Sequence, residues 1–194
     1  MGPRRRRRLR YEEETTDEAT NETADSDTYQ VPGFLPYSPA PTMVEVVEDR
    51  GDMLLVRHLF GETEIPKNPE RIYADASTLD ILVSLGISPV GANSFYADGV
   101  EPPPELAPLL EDIPLYVRGP VNLETVLSLD PDLILVWDVV VTFAEDSEGM
   151  SELLSDIAPT VVLNDNSYSF RAQATWDVAE MLGVSDQAET LLAN

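Results

Sequence analysis

Apolar residues begin to recur at regular intervals near Met43, where we predict that the folded part of the chain starts. The segment MVEVVEDRGDMLLVRHL is typical of two short strands joined around Asp49–Asp52, where Arg-Gly-Asp supplies the turn. Pro66, Asn68 and Pro69 then interrupt the chain. The pattern therefore predicts a short N-terminal strand pair ahead of the rest of the domain.

Beyond this pair, short apolar runs alternate with stretches of helical period. The predicted strands are RIYAD, PVGA (Pro89 to Ala92), IPLYVRG, LILVW and TVVL. The predicted helices run from Thr78 to Gly86, within PPPELAPLLED, after the cap Asn122, and through SELLSDIA, FRAQATWDVAEMLG and VSDQAETLLAN. LILVW is apolar throughout, as in a strand covered on both faces. The alternation predicts an α/β fold, a mostly parallel sheet with helices on both faces (a Rossmann-like lobe) that follows the strand pair.

The first 42 residues are predicted to be a disordered, charged and Pro-rich tail, because they hold too few apolar side chains to form a core. Gly2–Arg10, GPRRRRRLR, resembles the charged opening of an export signal, but an acidic stretch follows instead of an apolar one. We therefore expect no complete signal peptide in this chain. A tether between a membrane anchor and the domain, and a solvated tail, both fit this composition.

The charge balance excludes one class of partner. From Val31 onward the chain has 28 acidic and six basic residues. Such a surface repels the phosphates of nucleic acids, so we expect no nucleic-acid binding. The sequence has no cysteine, which removes disulfides and thiolate chemistry.

Enzyme chemistry is poorly supported. The turn after RIYAD is ASTLD, which lacks the glycines of a phosphate-binding loop, and no GxSxG motif occurs. The one histidine, His58, lies in the predicted strand pair and fits a strand-surface residue. Parallel α/β sheets bind ligands beyond the carboxyl ends of their strands. The candidate site segments are therefore Asp75–Thr78, Asn93–Tyr96, Arg118, Asp138–Asp146 and Asn164–Tyr168.

Three segments resemble one protein family. They are FGETEIPKNPERIYA, LDILVSLGISPVGA and VRGPVNLETVLSLDPDLILVW. In order and spacing they are similar to the N-terminal lobe of the iron-siderophore and cobalamin (Fe/B12) periplasmic-binding proteins of ABC importers, the class III solute-binding proteins. The resemblance extends from Phe60 to the C-terminus.

The resemblance implies a binding protein and no enzyme. Family members have two lobes joined by a long helix, with the ligand between them. Residues 43–183 then correspond to the N-terminal lobe and residues 184–194 to the start of the interlobe helix, with the second lobe absent. The implied ligand is a ferric siderophore, with cobalamin as the alternative, and no cofactor or metal site of the protein's own is expected. The family also implies a monomer in an extracytoplasmic location.

Glu124 is the residue of the N-L-E motif that, by resemblance, docks on an arginine of the membrane permease. It also fits an acidic residue placed favourably against the helix dipole. Arg118 lies where hydroxamate binders of the family have a pocket arginine, and its guanidinium suits the oxygen ligands of ferric iron. The alternative for Arg118 is a surface ion pair.

The predicted ligand-binding set contains residues that follow the strand ends. Phe95 and Tyr96 would supply an aromatic wall, or serve as loop anchors. The segment after LILVW departs from the family, since Val141 or Phe143 stands where hydroxamate binders have a tyrosine, and this leaves the ligand's identity open. The full set is Arg118, Tyr96, Phe95, Asp75, Thr78, Asp138, Val141 and Tyr168.

Two other hypotheses remain at this point. The chain fits a truncated product without independent binding, or a nucleotide- or cofactor-binding enzyme domain built on the same layers.

Overall fold

The computed structural model describes residues 42–117, 121–137, 147–163 and 171–193. Ala40–Asn194 forms one compact unit. No helix within the described ranges is long and apolar enough to cross a bilayer. The strands of the described part are β1 Glu45–Asp49, β2 Met53–His58, β3 Gly61–Pro66, β4 Ile72–Ala74, β5 Gly91–Ser94, β6 Leu115–Val117, β7 Leu133–Trp137 and β8 Thr160–Leu163. The helices are α1 Ala76–Ser84, α2 Ala107–Leu110, α3 Leu123–Ser128, α4 Ser147–Ser155, α5 Arg171–Met181 and α6 Ser185–Leu192.

Strands β4 to β8 form a parallel sheet in the order β6-β5-β4-β7-β8. The chain builds outward from β4 to β6, then returns past β4 to place β7 on its other side. β4 and β7 are thus the neighbours at which the strand order reverses. The predicted α/β class is confirmed.

Helices cover both faces of this sheet, and each face has its own core. On one face, α1, α5 and α6 pack with buried side chains of β2 and β3, and Val46 of β1 is partly buried against the same core. On the other face, α3 and α4 contribute Val126 and Leu154. In β7, Leu133, Leu135 and Trp137 belong to the first core, whereas Ile134 and Val136 belong to the second. The fully apolar LILVW run is therefore a strand buried on both faces, as predicted.

The predicted N-terminal strand pair is wrong in one respect, because a third strand follows it. β3 pairs antiparallel with β2 along its whole length, giving the order β1-β2-β3. Its sequence GETEIP ends in Pro66, a residue whose type alone predicts only an interruption of the chain. Proline is tolerated in an edge strand, where its missing N–H breaks no ladder bond, and β3 is such a strand.

The antiparallel sheet covers the outer edge of β8. The backbone amide of Leu59 donates to the carbonyl of Val162 at 3.1 Å. The Val162 amide in turn donates to Nδ1 of His58 at 3.3 Å, and Nε2 of His58 lies 2.8 Å from the Thr63 hydroxyl. Through these contacts His58 helps to join the two sheets. The contacts also cover an edge strand whose unpaired backbone groups would otherwise be a template for aggregation.

At the amino edge of the parallel sheet, Arg71 and Asp132 join the starts of β4 and β7. The Asp132 carboxylate accepts hydrogen bonds from the amides of Glu70 (2.8 Å) and Arg71 (2.9 Å). The Arg71 guanidinium donates to the carbonyl oxygens of Asp130 and Leu129. These contacts set the spacing of the two central strands at the end opposite the candidate site.

Candidate functional site

The candidate site is the carboxyl edge of the parallel sheet. β4 ends at Ala74, β5 at Ser94, and β7 at Trp137. Open parallel sheets bind ligands beyond this edge, in the crevice where the strand order reverses. Here that place lies between β4 and β7.

Asp75 spans the place where β4 and β7 meet. It caps α1, because its Oδ1 accepts hydrogen bonds from the amides of Ser77 (3.1 Å) and Thr78 (2.8 Å). Its Oδ2 accepts a hydrogen bond from the Trp137 amide at 3.2 Å. The Thr78 hydroxyl lies 2.7 Å from Asp75 Oδ1 and 2.8 Å from the carbonyl oxygen of Leu135. The two side chains therefore join the β4–α1 turn to β7.

Burial decides how Asp75 and Thr78 contribute to the site. They are 1% and 0% exposed. Burial raises the pKa of the Asp75 carboxyl, while hydrogen bonds from Thr78, Trp137 and Ser77 act in the opposite direction. Their direct contact with a ligand stays a prediction, and their hydrogen bonds already serve the architecture of the edge.

Phe95 and Tyr96 follow β5 directly and begin a short 3-10 turn, Tyr96–Asp98. Phe95 is 38% exposed, and Tyr96 is partly buried against the core on the α1 face. The Tyr96 amide donates to the Ser94 hydroxyl at 3.1 Å, which fixes the start of the turn. Both aromatic residues therefore lie at the carboxyl edge, where an aromatic wall was predicted. Their contact with a ligand stays a prediction.

A charged pair next to Tyr96 was missed by sequence reasoning. Nη1 of Arg171, the first residue of α5, lies 3.7 Å from Oδ2 of Asp80 on α1. Burial raises the pKa of Asp80, and Arg171 and a hydrogen bond with Tyr96 lower it. Arg171 is one of only six basic residues after position 31, and this scarcity was the available signal. Its proximity to Asp80, 91 positions earlier, follows only from the fold.

Glu124 lies in the first turn of α3, two residues after the cap Asn122. The Asn122 Oδ1 accepts a hydrogen bond from the Thr125 amide at 3.0 Å, which confirms the predicted cap. Glu124 is exposed, and so is Leu127 on the same side of the helix at 63%. Because α3 runs antiparallel to β7, its N-terminus lies at the carboxyl edge. The docking role of Glu124 stays a prediction.

Four residues of the predicted set lie outside the described residues, namely Arg118, Asp138, Val141 and Tyr168. Their neighbours mark where the chain leaves the sheet. Val117, the last residue of β6, is 66% exposed at the carboxyl edge. It was not in the predicted set, and together with Phe95 it gives the edge an apolar surface.

No group of three His, Cys, Asp or Glu side chains within the described ranges could hold a metal ion. A cavity of about 420 Å³ lies between α4 and the His58–Thr63 hairpin. It is lined by His58, Phe60, Thr63, Glu148, Ser151, Glu152, Ser155 and Asp156. None of these lining residues belongs to the predicted set.

Comparison with known proteins gives a consistent result. Residues 72–194 match the sequence model of a family described as "Periplasmic binding protein". The chain is 31% identical over 146 residues to the iron(3+)-hydroxamate-binding protein YxeB of Bacillus subtilis, a match that covers 75% of this chain and 41% of that protein. It is 28% identical over 146 residues to the Fe(3+)-citrate-binding protein YfmC of the same species, covering 73% of this chain and 44% of that protein.

A similar solved structure is that of Staphylococcus aureus SirA complexed with staphyloferrin B. Its TM-score is 0.58 and its sequence identity 32%, over 72% of this chain and 45% of the SirA chain. The chain thus spans less than half the length of the curated relatives and of the structure it matches.

Proposed function

The chain belongs to the family of periplasmic binding proteins, and from this premise we propose that it is the ligand-binding N-terminal lobe of an ABC importer's substrate-binding component. The proposed ligand is a ferric chelate, because relatives are named for ferric hydroxamate and ferric citrate and a similar structure holds staphyloferrin B. The family is one of solute-binding proteins and not of enzymes, so the enzyme-domain alternative loses its support.

One structural observation supports this proposal above the others. The carboxyl edge combines a rigid centre with exposed contact groups. Asp75 holds the turn after β4 to the end of β7, while Phe95 and Val117 present apolar surface beside it. Binding sites need positioned elements that carry accessible side chains. We propose that Asp75 and Thr78 position this edge and that Phe95 and Tyr96 contact the chelate.

Arg118, Asp138, Val141 and Tyr168 belong to the same proposed site. Each follows a strand of the parallel sheet in the sequence. The proposed role of Arg118 is to bind the chelate's oxygen atoms through its planar guanidinium group.

Glu124 is the proposed contact with the membrane permease. Its carboxylate is exposed in the first turn of α3, at the same edge of the sheet as the site. The exposed Leu127 one turn later would add apolar contact beside the charge. We therefore expect Glu124→Gln to reduce co-sedimentation of the chain with proteoliposomes that hold the cognate permease. The exposed Glu111→Gln is the matched control, and an equal loss with both variants would contradict the docking role.

The extracytoplasmic location and the monomeric state are part of the same proposal. Family membership supports the location, since the family consists of periplasmic binding proteins.

Fluorescence titration tests the binding function. Trp137 ends β7 at the carboxyl edge, is 2% exposed, and its indole Nε1 has no hydrogen-bond partner among the described residues. We expect a saturable change in tryptophan emission on addition of ferric citrate or ferrichrome. The change should be lost in Trp137→Phe and kept in Trp176→Phe. A folded chain that responds to neither chelate would favour the hypothesis of a product without independent binding.

A further inference from the structure

The basic residues of the described part form contacts in different parts of the fold. Arg50, Arg57 and Lys67 form ion pairs with carboxylates of the antiparallel sheet. Arg71 donates to backbone carbonyls at the amino edge. Arg171 lies close to Tyr96, which follows β5 at the carboxyl edge.

Arg171 is held in a cluster built from three distant parts of the chain. Asp80 comes from α1, Tyr96 from the turn after β5, and Arg171 from the start of α5. The Asp80 carboxylate lies between the other two, beside the Arg171 guanidinium and the Tyr96 hydroxyl. The side chains of Asp80 and Arg171 remain 30% and 39% exposed. Both side chains are therefore partly accessible to a solute.

The contact between Asp80 and Arg171 is poorly suited to a purely structural role. At 3.7 Å it exceeds hydrogen-bond length, so the two groups interact mainly through their charges. Exposed ion pairs of this kind contribute little to the free energy of folding. The Asp80 Oδ1 is buried and has no hydrogen-bond partner among the described residues. Asp80 thus offsets the charge of Arg171 without fully using its own capacity for hydrogen bonds.

The overall charge makes the position of this cation important. The chain carries a formal net charge of −24, so an anionic solute is repelled from most of its surface. A guanidinium group binds carboxylate oxygens in a forked geometry and keeps its charge at any physiological pH. Positive charge at the carboxyl edge would locally reverse the repulsion there.

We propose that Arg171 is a specificity-determining residue that favours anionic, carboxylate-bearing ferric chelates over neutral ones, and that Asp80 weakens this preference by opposing its charge. The inference rests on the proposed function and further specifies that the preferred chelate is anionic. It predicts opposite effects for the two members of the pair, whereas a structural ion pair predicts the same effect for both.

The test compares two probes on the full 194-residue chain, by tryptophan fluorescence at low salt. Ferric citrate is the anionic probe and ferrichrome the neutral one. We expect Arg171→Gln to weaken ferric citrate binding about tenfold and to change ferrichrome binding less than about twofold, because only the anion loses a charged contact. Asp80→Asn should strengthen ferric citrate binding several-fold, and Arg171→Lys should retain most of the wild-type preference.

The matched control is Arg57→Gln, which removes an exposed arginine that is ion-paired to Glu45 and Glu62 of the antiparallel sheet. It should change neither affinity by more than about twofold. Urea unfolding of each variant checks that the chain stays folded. Raising the salt concentration should weaken ferric citrate binding to the wild type more than to Arg171→Gln.

The outcomes separate this inference from the function on which it rests. Equal weakening of both probes by Arg171→Gln and Asp80→Asn would make the pair a structural contact and overturn the inference. If the wild type binds ferric citrate and Arg171→Gln binds it equally well, the inference about Arg171 is overturned, while the proposed function stands. A folded wild-type chain that binds neither probe would refute both.

Discussion

The carboxylate of Asp75 accepts a hydrogen bond from the backbone amide of Trp137, with 3.2 Å between Oδ2 and the nitrogen. Asp75 is the first residue after β4, and Trp137 is the last residue of β7. The other carboxylate oxygen caps α1. One buried side chain therefore fixes the start of a helix and the relative position of the two strands between which the sheet order reverses.

Replacement of Asp75 tests this arrangement. Both Asp75 oxygens accept from backbone N–H groups, so the amide nitrogen of Asp75→Asn would face a donor. We expect the free energy of unfolding to fall by about 2 kcal/mol, since a buried N–H loses its acceptor. Urea denaturation measures this. Asp52→Asn, at an exposed turn position, should stay within about 0.5 kcal/mol of wild type. Equal stability of the two variants would contradict the role of Asp75.

A second prediction concerns Asp132 at the opposite edge. Its two oxygens each accept a backbone amide, from Glu70 and Arg71. Asp132→Asn should lower the free energy of unfolding by about 1–2 kcal/mol. Asp130→Asn is the matched control, because Asp130 serves Arg71 through its backbone carbonyl and asparagine tolerates its positive φ of 47°. If Asp132→Asn lost no more stability than the control in the same denaturation, the role of the Asp132 carboxylate would be contradicted.

Arg71 and Asp132 also show what the family signature reports. They belong to the segments NPERIYA and DPDLI, which carried the resemblance in the sequence. In the fold they join the starts of β4 and β7, away from the candidate site. These two signature residues therefore identified the architecture. The predicted ligand-contact residues came from the strand ends and, for Arg118, also from the family resemblance.

Several elements were predictable because a local pattern determined them. LILVW is apolar throughout and became the fully buried β7, and Asn122 caps α3 as its residue type suggested. β3 was missed because Pro66 reads as a break unless the strand is known to lie at an edge. Helix α1 begins at Ala76 rather than Thr78, because the buried Asp75 is its cap.

The candidate site was predictable only in part. That Phe95 and Tyr96 follow a strand end was evident from the sequence, and the structure places them at the carboxyl edge. The contact between Asp80 and Arg171 was not evident, because two polar residues on separate helices carry no local sign of their proximity.

Close packing at Gly91 gives a third prediction. A Cβ atom at this first position of β5 would lie 2.8 Å from Leu129 Cδ1 and 3.2 Å from Tyr116 Cε2. Gly91→Ala should therefore lower the free energy of unfolding by about 1–3 kcal/mol through overpacking. Leu129→Ala should lower the free energy of unfolding less in the Gly91→Ala protein than in the wild type, because it removes the clashing Leu129 atoms. Strict additivity of the two changes in a denaturation cycle would contradict the predicted clash.

His58 predicts a pH dependence of stability. Burial lowers its pKa below the usual 6.5, and its Nδ1 accepts from the Val162 and Phe60 amides. The unfolded chain therefore takes up the proton first as the pH falls. The stability contributed by neutral His58 is complete above pH 6.5 and is lost as the pH falls through the lower, folded pKa.

The measurement is the free energy of unfolding of wild type and His58→Gln between pH 7.5 and 5. The wild type should lose more stability than His58→Gln as the pH falls. The slopes of unfolding free energy against pH should differ by the uptake of up to about one proton. Glu148, Glu152 and Asp156 line the same cavity from α4 and are common to both proteins, so they cancel in the comparison. Parallel pH profiles would refute the role of His58.

The central claim, that the carboxyl edge of the parallel sheet binds a ferric chelate, is tested most directly by paramagnetic NMR. Amide signals of the labelled chain are recorded with ferric citrate and with ferrichrome, and the gallium chelates serve as diamagnetic controls. We predict that the amides of Ser77, Tyr96 and Trp137 broaden selectively with at least one ferric chelate. The amides of Glu70 and Asp132 at the amino edge should remain sharp. Broadening centred on the amino edge, or no selective broadening with either chelate, would contradict the account.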